Sequence, residues 1–484
     1  MRRSLLLICI FTALFAVDSD DLIQLGSLKL KDAEEIAFKN NKTFLISNQN
    51  VKQASYRKNQ ALSKWFPKVQ YDAYYLASKK PQLTLDYFST DEILSKNVYY
   101  SRLEMTQPLF STSLYYKLKT KKLELKESKY EKDSSYNELI LRIRSDYYAI
   151  VLFKSSLSVQ KENIAYLTEA LSLEKKQLSA GSSTTYHVNQ SKVAVANAIT
   201  GYYSTLKDYQ NAKNSLVDSL GVEPYFEKIL NVEEESIPIF SIDLISEKLN
   251  SIKTGFLYQY NDFFSTSDML ENINKLDEQK RLILFTEDEV NNYINLALSK
   301  RPDLKQQKMG IEIANQQISK NKGKYLPEVS GFVDYAYNAA QPGDKSFLNQ
   351  PYSIQGGIKL TWTIFDSLLR ENKIEEAKAY KSARCLEYEY INNTIELDIR
   401  NILFKIEESL FSYLSANEAV LLAEQAMQQA KDKLIFGKIP PIDFRETANS
   451  LAQAKNQLNR SSYSLLIAYY QLRYATGQDI KYKI

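Results

Sequence analysis

Two carboxylates, Asp443 and Glu446, stand three residues apart near the C-terminal end of the 484-residue chain. Residues at that spacing share one face of a helix. The plainest role for such a pair is local: acids in a first turn gain about 0.3–1 kcal/mol from the positive end of the helix dipole. The equivalent places in an earlier, similar stretch hold His187 and Gln190, so the acid pair occurs once. His187 is the single histidine, which leaves no histidine cluster for a metal. No nucleophile is spaced against a base and no Gly-rich loop could cradle a phosphate. The other carboxylates fall on helical faces as solvated charge. No catalytic residue, cofactor or metal is expected, and the chain does not read as an enzyme.

The acids follow a turn, Phe436-Gly437-Lys438-Ile439-Pro440-Pro441-Ile442-Asp443. Gly tolerates positive φ and Pro can open a helix, so this stretch joins two helical runs. It has a twin, Ala180-Gly181-Ser182-Ser183-Thr184-Thr185-Tyr186-His187. Gly181 and Gly437 are 256 residues apart, and so are Gly221 and Gly477, which end the helices that follow. Matched spacing of this kind marks a duplicated architecture.

Only 13 Gly and 11 Pro interrupt the chain, which favours long helices, and 35 Tyr suit surfaces that are half apolar and half wet. A formal charge of +4 argues for no nucleic-acid partner. Residues 1–19 have signal-peptide form: Arg2 and Arg3 precede an apolar stretch at 5–17, with cleavage after Ala16 or Ser19. Cys9 falls in that stretch, so Cys385 is the one thiol of the mature chain and no internal disulfide forms. No later stretch holds about 20 uninterrupted apolar residues, so no membrane helix is expected.

The repeat organises the rest. Residues 20–221 form repeat 1, 222–284 a connector with some local helix, 285–477 repeat 2 and 478–484 a tail. Repeat 1 reads as a helix over 30–64, strands at 69–77 and 98–107, a helix over 112–179, the turn near 181 and a helix over 186–220. Repeat 2 reads as a helix to 324 interrupted at Arg301-Pro302-Asp303, strands at 328–337 and 352–365, a helix over 366–435, the turn near 437 and a helix over 443–475. The last strand alternates most cleanly: Tyr352, Ile354, Ile358, Leu360, Trp362 and Ile364 face one way, Ser353, Gln355, Lys359, Thr361 and Thr363 the other. Tyr352 and Trp362 suit opposite membrane interfaces; their plainer role is to fill a sheet face. Strands with one apolar and one polar face fit a wall between lipid and a wet lumen. Four strands cannot close a barrel, and open edges are not tolerated in lipid, so spanning strands would have to be shared among several chains.

Several short motifs recur in both halves. Leu28-Lys29-Leu30-Lys31-Asp32-Ala33-Glu34-Glu35-Ile36-Ala37, followed by Asn40-Asn41, opens the first helix, and Ala297-Leu298-Ser299-Lys300-Arg301-Pro302-Asp303-Leu304 closes its second copy. Phe66-Pro67 and Leu326-Pro327 precede the strands, while Gln107-Pro108-Leu109-Phe110 and Trp362-Thr363-Ile364-Phe365-Asp366 lead out of them. In this order the motifs resemble the outer-membrane efflux protein family, the TolC-like channels, over nearly the whole mature chain.

The resemblance implies a mainly α fold with membrane β: two structural repeats, each of two strands plus long helices, and a homotrimer forming a 12-strand β-barrel on a 12-helix α-barrel. It implies a passive exit duct in the outer membrane, extending into the periplasm, for tripartite efflux or type I secretion of small molecules or proteins. The implied partners are outer-membrane lipid, a periplasmic adaptor (membrane fusion protein) and an inner-membrane transporter. By resemblance, Ala180, Gly181, Ser182, Phe436, Gly437 and Lys438 are the adaptor-contact tips; turn chemistry alone also explains them. Asp443 and Glu446 would form two stacked acidic rings at the periplasmic entrance, selecting for cations. Pro440-Pro441 departs from the usual tip pattern. Two other classes compete: a secreted coiled-coil scaffold or adhesin without a channel, whose strands would be linkers, and an exported enzyme that binds polysaccharide or lipid, for which no site constellation exists.

Overall fold

The computed structural model describes residues 27–77, 97–225, 231–233, 236–239, 242–255, 284–339 and 352–479. The expected signal peptide, residues 78–96 and 340–351, much of the expected connector and the end of the tail lie outside the described residues.

Nine helices and four strands are described. In chain order these are α1 (Leu30–Asn40), α2 (Lys42–Ser63), β1 (Lys68–Ala77), β2 (Asn97–Phe110), α3 (Thr112–Ser179) and α4 (Thr185–Leu220). α5 (Asp243–Gly255) follows. Then come α6 (Glu287–Lys300), α7 (Pro302–Gly323), β3 (Glu328–Ala339), β4 (Tyr352–Thr361), α8 (Leu369–Ile435) and α9 (Pro441–Ala475). The 68 residues of α3 and the 67 of α8 contain neither Gly nor Pro, so nothing in their sequence breaks the hydrogen-bond ladder. Among the described residues no helix is long and apolar enough to cross a membrane.

Three expectations need correction. The first helical run is two helices, because Asn41 leaves α1 with an extended backbone and caps α2 instead. Its Oδ1 accepts the Phe44 N–H and its Nδ2 donates to the Ser219 carbonyl at 2.8 Å. The strand expected over 352–365 ends at Thr361, which pairs with Glu328, the first residue of β3; no partner remains beyond it. Accordingly α8 starts at Leu369, after Ser367 and Leu368 at φ 54° and 66°. The buried Arg370 guanidinium holds this bend through the Thr363 and Ile364 carbonyls, both at 2.9 Å.

The chain divides into two units. One comprises Met1–Ser47, Lys132–Pro302 and Ile391–Ile484; the other comprises Asn48–Glu131 and Asp303–Tyr390. α3 and α8 contribute to both.

In the first unit the helices bury rows of aliphatic side chains, such as Ile395, Ile399, Leu403 and Leu410 of α8, at the spacing of one helical face. Arg144 of α3 bridges Glu34 of α1 and Asp479 of the C-terminal segment, both at 2.9 Å. Two helix ends are built alike. Gly221, at φ 70°, closes α4 against the α1–α2 junction, where an added Cβ would lie 2.6 Å from the Asn40 carbonyl oxygen. Gly477, at φ 65°, lies against the α6–α7 junction, 3.2 Å from the Lys300 carbonyl carbon by the same measure. Of the connector, Val232 bridges Leu28 in parallel, and Lys248 of α5 pairs with Glu289 of α6 at 2.8 Å.

The second unit holds one antiparallel sheet in the order β1-β2-β3-β4. β2 and β3, far apart in the chain, pair at its centre, leaving β1 and β4 as its two edges among the described residues. Pro108, which lacks an N–H, coincides with a register shift where β2 runs toward α3.

Candidate functional site

Successive residues of a strand point to opposite faces of its sheet, so the register assigns every side chain. One row across the sheet is Tyr71, Leu103, Tyr335 and Ile354. These four apolar side chains are 66%, 45%, 44% and 77% exposed. The next row is Gln70, Glu104, Asp334 and Gln355 on the other face. There Arg102 pairs with Asp334 at 2.8 Å and with Glu104 at 3.4 Å. One face is therefore apolar and uncovered among the described residues, while the other carries polar, internally paired side chains. Aromatic exceptions on the polar face are the stacked pair Tyr74 and Tyr100 and Phe332, whose ring covers Gly357, the residue opposite it on β4. An uncovered apolar sheet face of this kind marks a surface that meets lipid or protein.

Tyr352 opens β4 beside Tyr337, with ring centroids 5.8 Å apart. Trp362 lies just past the end of β4, and its indole N–H donates to the Tyr325 carbonyl at 3.0 Å. Both rings are about half exposed.

The two Gly turns lie in the first unit and share one geometry. At the first, Gly181 takes φ 73°; its N–H reaches the Leu178 carbonyl and the Ser182 N–H reaches the Gln177 carbonyl. At the second, Gly437 takes φ 64°, with the matching bonds from Gly437 to Leu434 and from Lys438 to Lys433. This is the Schellman helix end, which needs a left-handed residue after the last turn. A Cβ at either Gly would meet nothing within 4 Å, so conformation alone explains these glycines. Ala180, Gly181, Ser182, Phe436, Gly437 and Lys438 are all exposed. The turns differ in how the next helix starts. Thr184 caps α4 through its side chain, whereas Pro440 and Pro441 open α9 with fixed φ and no side-chain cap.

Four consecutive residues of α9 do different work. Asp443 and Glu446 are exposed, on the side away from Phe444. Phe444 is fully buried in a cluster with Ala170 of α3, Met427, Ala430 and Leu434 of α8, and Ala448 and Leu451 of its own helix. Tyr166 meets its ring edge to face at 6.1 Å. Arg445 donates to the buried Ser191 hydroxyl of α4 at 3.1 Å. Phe444 and Arg445 escaped the sequence reading; apolar Phe444, Ala448 and Leu451 at helical spacing were the available signal for the first. No group of three or more His, Cys, Asp and Glu among the described residues could hold a metal.

Long helices with a small antiparallel sheet, apolar on one exposed face, form an architecture shared with solved outer-membrane channels. The outer-membrane channel CmeC of Campylobacter jejuni superposes with a TM-score of 0.72 over 93% of this chain and 85% of that one, at 16% identity. VceC, an outer-membrane protein of Vibrio cholerae, gives 0.71 over 93% and 96%, at 15% identity. In sequence, 198 residues are 22% identical to the outer membrane protein TolC of Salmonella enteritidis, spanning 39% of this chain and 40% of that protein. The model of the outer membrane efflux protein family matches residues 35–222 and 293–478. The chain belongs to that family, and its place is the outer membrane, with the periplasm beneath it.

Proposed function

We propose that three copies of this chain form a passive exit duct through the outer membrane. The observation that carries the reading is the sheet: four strands, an exposed apolar face and two edges without a partner among the described residues. In lipid each unpaired backbone group costs several kcal/mol, so β1 of one copy must pair with β4 of the next until the ring closes. Three copies give 12 strands, within the range of closed membrane barrels. Family membership favours the same assembly, with the helices continuing as a 12-helix α-barrel.

In this reading the two repeats and the connector are the functional divisions of the mature chain. The exposed turns at Gly181 and Gly437 are the adaptor-contact tips, and an inner-membrane transporter supplies the energy. Asp443 and Glu446 ring the periplasmic entrance, and Tyr352 and Trp362 sit at the two membrane interfaces. The cargo is a small molecule or protein delivered for efflux or type I secretion. A secreted scaffold without a channel would leave the apolar row at Tyr71, Leu103, Tyr335 and Ile354 facing water.

The full chain, expressed in a Gram-negative host, should fractionate with detergent-extracted outer membranes as a trimer that dissociates only on heating. Recovery as a soluble monomer overturns the proposal.

A further inference from the structure

Helices α7 and α8 leave a groove between them that no described side chain fills. Every residue lining it lies in the second unit. α7 presents Ile318, Ser319 and Lys322 to it, at the spacing of one helical face. α8 presents Lys378, Lys381, Ser382, Cys385 and Leu386 in the same way. The two helices are tied together on either side of the groove. Toward the sheet, Asn321 Nδ2 of α7 donates to the Lys373 carbonyl of α8 at 2.8 Å. Farther from it, the Lys308 ammonium of α7 lies 5.6 Å from the centre of the Tyr388 ring of α8. The helices are therefore antiparallel here, and at 1.5 Å per residue the two ties stand about 20 Å apart. Between them the groove encloses about 900 Å³. Small-molecule sites typically hold about 300–1,000 Å³.

The charge in the groove has one sign. Three lysines line it, and no Asp or Glu does. Lys378 is paired with Glu375 on its own helix at 2.7 Å, but both side chains are more than half exposed, so that pair is weak. Among the described residues Lys322 and Lys381, one from each helix, form no ion pair. Ser382 adds a hydroxyl beside Lys381 in the chain. Apolar surface faces the same space. Ile318 lies on one wall and Leu386, still 65% exposed, on the other, and the lysine stems add CH₂ groups to both.

We propose that this groove binds a small anionic amphiphile, one acidic head on a short apolar body. Lys322 and Lys381 hold the head from the two helices, and the body covers Ile318 and Leu386. A bare inorganic anion would leave both apolar side chains in water. A cationic amphiphile would meet three ammonium groups. A helix from a protein partner would need a trough open at its ends, whereas this one is tied off at both. The site belongs to one unit of one chain, so it goes beyond the duct and does not rest on it.

Cys385 reports on the groove, because its thiol is free, partly exposed and on the lining. The full purified chain in nonionic detergent is treated with N-ethylmaleimide, an uncharged reagent, and modification of Cys385 is followed by peptide mass spectrometry. Decyl sulfate, kept below its micelle concentration, is the probe. Inorganic sulfate and decyltrimethylammonium are the controls for the head and the chain. At about four times its dissociation constant, decyl sulfate should slow modification about fivefold, and neither control should. Lys322→Gln with Lys381→Gln should abolish the protection and Lys322→Arg with Lys381→Arg should keep it, each measured against its own rate without probe. Unfolding by the probe would speed the reaction, so an unchanged or faster rate overturns the proposal. Equal protection by inorganic sulfate or by decyltrimethylammonium overturns it too, as does a Gln variant protected as well as the natural chain. A soluble monomer still protected by decyl sulfate would overturn the duct and leave this site standing; an unprotected outer-membrane trimer would do the reverse.

Discussion

Arg445 and Ser191 tie together the two helices that follow the Gly turns, through a hydrogen bond of 3.1 Å between the guanidinium and a buried hydroxyl. The bond joins residues 254 apart in the chain, close to the turns proposed to form the periplasmic entrance. Arg445→Ala should leave helix content unchanged, because Phe444 still anchors α9 in its core, but free α9 to move against α4. Planar-bilayer recordings should then show a higher conductance than the natural channel. An unchanged conductance would mean that this bond does not hold the entrance closed.

The acids beside Arg445 have a separate consequence. In a trimer, exposed Asp443 and Glu446 would present two rings of carboxylates, and fixed negative charge at a constriction favours cations. Asp443→Asn with Glu446→Gln should shift the reversal potential under a salt gradient toward that of an unselective pore. A reversal potential that stays put would place these side chains away from the ion path.

Glycine substitutions should sort into two grades. Gly181→Ala and Gly437→Ala meet no neighbour, so each should cost about 1 kcal/mol for the left-handed backbone alone. Gly221→Ala drives a Cβ to 2.6 Å from the Asn40 carbonyl oxygen and the Asn41 Cα, which are backbone atoms and cannot swing aside. Chemical denaturation should rank Gly221→Ala as clearly the more destabilising change. Equal losses at all three positions would show that the α1–α2 junction yields freely.

Acid should loosen the start of α6 before the rest. Burial alone would raise the Glu289 pKa, but the Lys248 ammonium, the Thr286 N–H and the Thr286 hydroxyl together bring it below the ordinary glutamate value. A carboxyl whose folded pKa is depressed stabilises the fold fully above its unfolded value, and that stability is lost as pH falls through the folded value. Hydrogen exchange at Val290, corrected for its intrinsic rate, should quicken between about pH 6 and pH 3, the range that brackets carboxylate titration. Glu289→Gln should flatten that dependence, and Thr286→Ala should weaken the helix start by about 1 kcal/mol at neutral pH. A wild-type pH profile matching that of Glu289→Gln would sink this account.

What the sequence shows plainly is what its own local chemistry decides. The Gly turns are legible because the left-handed conformation is cheap only for Gly, and β4 because its side chains alternate from Tyr352 on either side of Gly356-Gly357. What it hides depends on distant partners. The break at Asn41 is set by the Ser219 carbonyl and the approach of Gly221, both about 180 residues away, and Asn40-Asn41-Lys42 looks like ordinary helix without them. The end of β4 is set by where β3 begins, while its own alternation runs on to Ile364. Arg370 reads as one more charge in a helical run, yet it is buried and binds the carbonyls of the bend before it. Around Asp443 the acids draw the eye by charge, whereas the packing rests on Phe444 between them.

Arg102 and Asp334 meet at the centre of the sheet although 232 residues separate them along the chain. At ribosomal speeds of about 5–20 residues per second, β2 is made roughly 10–50 s before the strand it will pair with. A lone two-stranded hairpin is marginal in water, so β1 and β2 have no stable sheet to join until β3 is made. The sheet is thus a late event in the life of each molecule, and a chain cut short before β3 would hold a finished β1 and β2 with nothing to join.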